Sequence, residues 1–236
     1  MTQTEYNKIE NFMLEQMRDS AHDKFHVYRV LNAAIDIAGH SENVDMDVLI
    51  AACLLHDIGR EKQFEDLENI CHAKVGGDMA YDYLLSVLWS EQKALHVKEC
   101  ISSHRFRNNN KPQCIEAEIL YDADKLEASG AIGIARTLIY EGQVSEPLYI
   151  LDDNGDIITD GGGAEISSFF QEYNYKLKNV YTSFFTKRAN EIASSRQKTA
   201  EDFYHSLFDE ITQNDKNGIE NYFVGADIIR PIKGEK

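Results

Sequence analysis

Apolar residues recur at helical spacing along most of the first 130 residues. From Val27 to Ala38 the apolar side chains return every three or four positions, and the same spacing runs from Ile70 to Leu88. The segments 92–104 and 114–128 are predicted as two further helices. Because alternating apolar and polar stretches are few and the chain has three prolines, the pattern predicts a mostly α-helical fold.

One stretch in the second half of the chain has a different pattern. Two β-rich runs, 148–151 and 156–159, flank a turn that contains Asn154-Gly155. Asn-Gly between two such runs is typical of a β-hairpin. We therefore predict a small hairpin over about 147–160, followed by a glycine-rich connector and by helices over about 165–213.

An eight-residue apolar run, Val48 to Leu55, leads directly into His56-Asp57. Burying an ionisable pair costs free energy unless a hydrogen bond, an ion pair or a metal compensates it. A divalent metal would hold both side chains in place. The alternative is a helix end at which Asp57 is solvated, with Gly59 in the turn that follows.

The order of other histidines and aspartates along the chain helps to interpret His56-Asp57. His26 lies upstream and Asp124 downstream, and five ordered blocks surround these positions. The blocks read AHDKFHVYRV, AACLLHDIGR, HAKVGG, ISSHRF and DADKLEASGAIGIAR. Their order resembles that of the HD-domain superfamily of metal-dependent phosphohydrolases, and in particular its small stand-alone hydrolases.

The resemblance implies an all-α helical bundle with the hairpin as an insertion. We expect one domain over residues 1–236, with its core at about 23–136. It also implies that His26, His56, Asp57 and Asp124 bind one metal. Two imidazoles and two carboxylates suit Mn, Fe, Co, Ni or Zn, whereas Mg prefers oxygen ligands and is less expected.

His72 and His104 fall between the ligand blocks and leave three alternatives open. They could complete the six-ligand pattern of HD proteins with two metals. They could instead line the pocket beside a single metal as acid or base groups. The third alternative is that both are ordinary helix-end histidines.

Several further residues are candidates for substrate contacts. Arg29 shares a helical face with His26 and could bind a phosphate through its planar guanidinium, or could pair with one of the many acids. Arg60 and Lys125 are weaker phosphate candidates of the same kind. His22, one turn before His26, could line the pocket, and Glu127 is expected near the pocket as a structural partner and not as a ligand.

Composition limits the classes of partner and compartment. With 24 basic and 40 acidic residues the net charge is −16, which disfavours binding to a nucleic acid polymer. The apolar runs are too short to span a membrane. No secretory signal is evident, and the four cysteines form no C-x-x-C pair. We therefore expect a cytoplasmic protein with reduced thiols, and we give a cysteine zinc site little weight.

The expected activity is hydrolysis of a phosphorus ester or anhydride in a small molecule, with a nucleotide as the first candidate substrate. This expectation comes from the resemblance. An HD-fold di-iron oxygenase is the alternative enzyme, and a nucleotide-sensing domain without turnover is the alternative outside catalysis. A homo-oligomer is also compatible with the sequence.

Overall fold

The computed structural model describes residues 1–17, 24–65, 70–105, 110–161 and 167–222. Most of these residues are helical, and none of the described ranges contains a β-strand. The helices are α1 (Gln3–Gln16), α2 (Lys24–Ala38), α3 (Met46–Leu55), α4 (Arg60–Glu65), α5 (His72–Ser86), α6 (Glu91–Ser103), α7 (Ile115–Leu126), α8 (Gly130–Val144), α9 (Phe169–Tyr175), a 3-10 helix (Leu177–Thr182) and α10 (Lys187–Tyr222).

Helix α3 lies at the centre of the bundle. Asp45 caps it by accepting hydrogen bonds from the backbone amides of Asp47 and Val48, at 3.1 and 3.3 Å. Seven of its ten residues are buried, and α1, α2, α5, α6 and α7 pack around it. The apolar run therefore forms the core, and its last turn delivers His56 and Asp57 to the interior.

Gly59 brings the turn after α3 against the start of α5. A Cβ atom at this position would lie 2.3 Å from the carbonyl oxygen of His72 and 2.6 Å from the backbone nitrogen of Gly76. Backbone atoms cannot yield to such overlaps without moving α5. The absence of a side chain at Gly59 thus allows the His56-Asp57 turn to meet His72.

The C-terminal helices pack on α7 and α8 and form a second, smaller apolar cluster. It contains Ile134, Phe169, Tyr173, Leu177 and Ala200. A buried carboxylate joins the two parts of the molecule: Asp122 of α7 accepts hydrogen bonds from the amides of Phe185 and Thr186, at 2.9 and 2.7 Å. These bonds satisfy backbone groups just before α10 begins.

The predicted hairpin over about 147–160 is wrong as a two-stranded element. The structure has a single antiparallel bridge, between Leu151 and Ile157, and a turn in which Asp152 accepts the amides of Asn154 and Asp156. The sequence around Asn154-Gly155 does form a turn, but the flanking strands would need a sheet or a packed apolar face to be stable. Leu148, Tyr149 and Leu151 instead remain substantially exposed.

In the part of the chain that the structure describes, no helix is both long enough and apolar enough to cross a membrane.

Candidate metal centre

Three of the predicted ligands meet where α2 faces the end of α3. The Nε2 atom of His26, from the first turn of α2, lies 3.4 Å from Nε2 of His56 and 3.6 Å from Oδ2 of Asp57. The Nε2 atom of His56 lies 3.5 Å from the same carboxylate oxygen. All three side chains are buried, and their donor atoms are close enough together to hold one metal ion.

Asp124 reaches this group from the last turn of α7. Its Oδ1 atom lies 3.2 Å from Nε2 of His26 and 3.9 Å from Nε2 of His56. The four predicted ligands, drawn from α2, α3 with its following turn, and α7, therefore converge on one point of the core.

The second oxygen of Asp57 faces the other two candidate histidines. Oδ1 lies 3.4 Å from Nε2 of His72, the first residue of α5, and 3.9 Å from Nε2 of His104, at the end of α6. Both histidines are almost fully buried. Asp57, His72 and His104 form a second donor group that shares the Asp57 carboxylate with the first.

The four imidazoles form a continuous series through the core. Ring centroids are 5.3 Å apart for His26 and His56, 5.3 Å for His56 and His104, and 5.4 Å for His104 and His72. The structure thus brings together all six residues of the predicted two-metal order. His22 lies outside the described residues.

Backbone carbonyls and one carboxylate orient the imidazole rings through the Nδ1 atoms, which face away from the centre of the cluster. The Nδ1–H group of His56 donates to the carbonyl oxygen of Cys53 at 2.8 Å, and that of His104 donates to the carbonyl of Ile101 at 2.6 Å. On His26 the Nδ1 atom lies 3.2 Å from Oε2 of Glu127. When Nδ1 carries the proton, the lone pair of Nε2 points into the cluster, as a metal ligand requires.

Buried polar atoms in the cluster lack ordinary hydrogen bonds. Neither oxygen of Asp57 accepts one from the described residues, although Nε of Arg60 lies 2.6 Å from Oδ2 in an ion pair. The Nε2 atom of His104 has no hydrogen-bond partner in the described ranges. A carboxylate that is 2% exposed carries a large desolvation cost, and a bound cation would offset it. The donor set therefore fits a divalent metal.

The histidines have opposite shifts in pKa. Burial alone would lower the pKa of His26, but hydrogen bonds to Asp124 and Glu127 outweigh it and raise the pKa to about 9. Burial and the charge of Arg60 lower the pKa of His72 to about 2. Burial and the neighbouring His56 lower the pKa of His104 to about 4. His72 and His104 are therefore neutral near pH 7, whereas His26 is protonated there and would have to release a proton when a metal binds.

The basic candidates occupy three different settings. Arg60 pairs with Asp57 as described above. Arg29 donates from Nε to Oε2 of Glu127 at 2.8 Å, which is the ion-pair alternative raised by the sequence. Lys125 instead donates to the carbonyl of Ser183 at 3.0 Å and lies over the ring of Tyr121, so its contacts are outside the cluster.

Sequence reasoning missed three arginines near the site, one of which, Arg136, has its Nη1 atom 3.5 Å from Oε2 of Glu127. Arg105 follows His104 directly, and its Nη1 atom lies 3.3 Å from Nδ1 of His72. Its position beside a candidate ligand was the signal that could have identified it. Arg196 of α10 donates to the carbonyl of Leu126 at 2.9 Å, and no motif in the C-terminal half of the chain marked it.

A cavity of about 450 Å³ lies beside the cluster, between α2, α7, α8 and α10. Glu127 belongs to its wall and also contacts His26, so the cavity and the cluster share this side chain. The lining residues are Arg29, Asn32, Ala33, Asp36, Ala123, Leu126, Glu127, Ile132, Ile192 and Arg196.

Comparison with known proteins shows similarity in sequence to HD-domain proteins. Residues 25–129 match the sequence model of the HD domain. The uncharacterized protein YpgQ of Bacillus subtilis is 28% identical over 192 residues, which are 80% of this chain and 83% of YpgQ. The range that matches the HD-domain model, residues 25–129, contains all six clustered histidines and aspartates.

Solved structures share the fold over most of the chain. An HD-superfamily hydrolase from Bacillus thuringiensis superimposes with a TM-score of 0.67 at 26% identity, covering 89% of this chain and 98% of that one. The structure of Bacillus subtilis YpgQ in complex with ADP gives a TM-score of 0.66 at 24% identity, covering 92% and 97%.

Proposed function

We propose that this chain, whose residues 25–129 match the sequence model of the HD domain, is a metal-dependent phosphohydrolase that acts on a nucleotide or a similar small phosphorylated molecule. The observation that carries this proposal is the Asp57 carboxylate. It is buried, and its two oxygens face two different pairs of histidines.

The first pair of histidines defines the principal metal site. In the proposal His26, His56, Asp57 and Asp124 bind one divalent ion. Two imidazole nitrogens and two carboxylate oxygens favour Mn, Fe, Co, Ni or Zn over Mg.

The positions of His72 and His104, the second pair, support the proposal that a second ion would be bound, with Asp57 as a ligand shared by both ions. His72 and His104 aim their Nε2 atoms at Oδ1 of Asp57. A general acid must be protonated near neutral pH, whereas the depressed pKa values of both rings keep them neutral. Of the alternatives that the sequence left open, we therefore propose that both residues are ligands.

A metal bound in this site would lower the pKa of a bound water and polarise a phosphoryl oxygen. The protein residues contribute position and charge. Arg60 and Arg105 place guanidinium groups beside Asp57 and His72, where they can bind phosphate oxygens. Glu127 keeps the Nδ1 atom of His26 protonated and directs its Nε2 atom inward.

The cavity beside Glu127 supports a nucleotide as the substrate. Its wall contains two arginines, Arg29 and Arg196, together with the acids Asp36 and Glu127, and Ala33, Ile132 and Ile192 give it an apolar surface that could receive a base. The relative YpgQ was crystallised with ADP, which is the same class of ligand. Because α10 supplies Ile192 and Arg196, we propose that the C-terminal helices belong to the same functional unit as the HD core.

The test is turnover by the metal-free protein after addition of Mn²⁺, Co²⁺, Ni²⁺, Zn²⁺ or Mg²⁺ in turn. Nucleoside tri-, di- and monophosphates are the substrates, and phosphate and pyrophosphate release are measured separately. We expect hydrolysis of at least one nucleotide with a transition metal and weaker hydrolysis with Mg²⁺. The ratio of the two products identifies the bond that is cleaved.

Two results would contradict the proposal. Nucleotide binding without turnover under every metal would favour a sensing domain. Two irons per chain together with oxygen consumption would favour the oxygenase, which requires the same six ligands. Asp153→Asn, a carboxylate change in the exposed turn after α8, is the control for Asp57→Asn in the same assays.

A further inference from the structure

A second group of donor atoms lies between α6 and α7, away from the His56-Asp57 turn. It contains His96 and Cys100 of α6 and Cys114, the N-cap residue of α7. The Nε2 atom of His96 lies 3.2 Å from Sγ of Cys114, and Sγ of Cys100 lies 3.7 Å from Sγ of Cys114.

Local geometry explains how these residues meet. His96 and Cys100 are four residues apart in α6, so both project from one face of the helix. Helices α6 and α7 pack against each other, and the start of α7 places Cys114 opposite that face. Cys100 is fully buried, whereas Cys114 and His96 are partly exposed, which leaves a route from solvent.

Two of the three donor separations match the edges of a tetrahedral zinc site, and the third, between His96 and Cys100, is within 4.8 Å. With Zn–S bonds of about 2.3 Å and Zn–N bonds of about 2.0 Å, two sulfurs lie about 3.8 Å apart and a nitrogen and a sulfur about 3.5 Å apart. The observed separations of 3.7 and 3.2 Å are within a few tenths of an ångström of these values. Only a small adjustment would bring the three atoms onto one ion.

A buried carboxylate approaches the same imidazole nitrogen. Oε2 of Glu116 lies 3.2 Å from Nε2 of His96, and the side chain of Glu116 is 4% exposed. Its other oxygen, Oε1, accepts the backbone amide of Asp45 at 2.7 Å, which fixes the orientation of the carboxylate. The Nε2–H group of His96 cannot point well at both Sγ of Cys114 and Oε2 of Glu116. An ion at this place would bind the nitrogen, the sulfur and the oxygen together.

We propose that His96, Cys100 and Cys114 form a zinc site, with Glu116 as the carboxylate nearest the fourth position. Two cysteines and one histidine select Zn²⁺ over Mg²⁺ or Ca²⁺, which prefer oxygen ligands. The site is independent of the proposed hydrolase activity, because it shares no residue with the His and Asp cluster.

The contact between the two thiols shifts their pKa values in opposite directions. The hydrogen bond with Cys114, together with burial, raises the pKa of Cys100, so Cys100 would lose its proton only when a metal binds. For Cys114 a hydrogen bond from Cys100 is the largest cause, and together with the amide of Ala117 and with His96 it outweighs burial and lowers the pKa of Cys114 to about 6. The thiolate is the form of cysteine that binds metals.

The site would fix the ends of the segment that carries His104. Cys100 precedes His104 by four residues, and Cys114 is the N-cap residue of α7, whose last turn carries Asp124. A bound ion would therefore hold the last turns of α6, next to His104, against the start of α7.

The test uses Co²⁺ as a spectroscopic probe of the reduced protein, with a phosphine as the reductant. Thiolate ligands give Co²⁺ a charge-transfer absorption in the near ultraviolet that histidine and carboxylate ligands do not give. The His and Asp cluster therefore does not contribute to this signal. Because the His and Asp cluster also binds Co²⁺ in the proposed function, Co²⁺ is added until all sites are filled. We expect the band to reach the intensity of one thiolate-bound ion per chain and an excess of Zn²⁺ to remove it.

Cys114→Ser is the informative variant, because serine is a favoured N-cap residue and the start of α7 should be preserved. It should abolish the band. Cys71→Ser, at an exposed cysteine outside the group, is the matched control and should keep the full band. His96→Gln should weaken Co²⁺ binding about tenfold or more, since removing even an outer-shell partner of a metal costs about this much.

Three outcomes would overturn the proposal. The first is the absence of a thiolate band in the reduced wild-type protein. The second is a band that persists in Cys114→Ser. The third is a Cys100–Cys114 disulfide, found by intact mass and peptide mapping in protein purified without reductant, with no Zn²⁺ bound before or after reduction.

Discussion

Helices α6 and α7 carry two donor groups of different chemistry. At one end, His104 and Asp124 contribute nitrogen and oxygen donors to a buried cluster that has Asp57 at its centre. Nearer the start of α7, Cys100 and Cys114 contribute sulfur. Ligand type is a principal means by which proteins discriminate between metals, so one pair of helices can present two sites with different preferences.

The two groups also differ in how visible they are in the sequence. His26, His56-Asp57, His72, His104 and Asp124 follow one another in blocks of recognisable order. His96, Cys100 and Cys114 have no C-x-x-C spacing, and their proximity depends on how α6 packs on α7. An ordered motif can therefore be read before the fold is known, whereas a group assembled by packing cannot.

Removal of the Asp57 carboxylate, which the two histidine pairs share, is expected to have the largest effect and to separate the His and Asp cluster from the cysteine group. Asp57→Asn should lower kcat/KM at least about a thousandfold, or about 4 kcal/mol of transition-state stabilisation. The reason is that both histidine pairs lose their common carboxylate. Metal content by mass spectrometry and steady-state kinetics check this, while Co²⁺ bound to the cysteine group should be unchanged. Full turnover by the variant would exclude Asp57 as a ligand.

The next largest effect is expected from Gly59, in the turn between α3 and α4 that packs against the start of α5. Gly59→Ala would put a methyl group 2.3 Å from a backbone oxygen and should cost about 1–3 kcal/mol of unfolding free energy, with lower metal occupancy. Urea unfolding and metal analysis measure both quantities.

Gly142→Ala is the matched control, because a Cβ atom there would meet nothing within 4 Å. Alanine in the interior of α8 should stabilise the protein by about 0.5–1 kcal/mol. If Gly59→Ala behaved like this control, the close approach of the turn to α5 would be unimportant.

A smaller effect is expected from the residue that orients His26. Glu127→Gln keeps the shape of the side chain but removes the charge that faces Nδ1 of His26 and Nε of Arg29. Metal affinity or kcat/KM should fall about tenfold to a hundredfold, as is usual for such supporting groups. Isothermal titration with Mn²⁺ measures the affinity, and equal affinity in both proteins would count against the orienting role.

The last prediction concerns pH and requires metal-free protein. Burial lowers the pKa of His104 to about 4, so between about pH 6.5 and 4 the unfolded chain binds a proton that the folded protein does not. Stability is therefore lost as the pH falls through this window, by about 1.4 kcal/mol per pH unit for one proton. His72 acts in the same direction.

His104→Asn should flatten this dependence. Urea unfolding in the presence of a chelator, at several pH values from 4.5 to 6.5, compares the two proteins. Parallel curves for the wild type and the variant would show that His104 titrates normally in the folded state.

Much of the N-terminal fold could be predicted from the sequence, because helical spacing is a local property. The predicted segments 92–104 and 114–128 correspond to α6 (Glu91–Ser103) and α7 (Ile115–Leu126) within about two residues. The hairpin was wrong because its turn residues are local, whereas strand pairing needs a packed face that the molecule does not supply.

The candidate site could be predicted only in part, for a similar reason. The residues of the cluster were identified by their order, but the division of Asp57 between two histidine pairs depends on the approach of α5 that Gly59 permits. The contacts of Arg29 and Lys125 depend on acids and carbonyls brought close by folding. No sequence spacing reveals those partners.

Anomalous scattering from crystals grown with Mn²⁺ tests the central claim most directly. The account predicts a strong peak within coordination distance of His26, His56, Asp57 and Asp124, about 2.0–2.3 Å from their donor atoms. It predicts a second peak between Asp57, His72 and His104. A map without a peak at His56-Asp57 in protein that hydrolyses a nucleotide would contradict it, because the chemistry would then take place elsewhere.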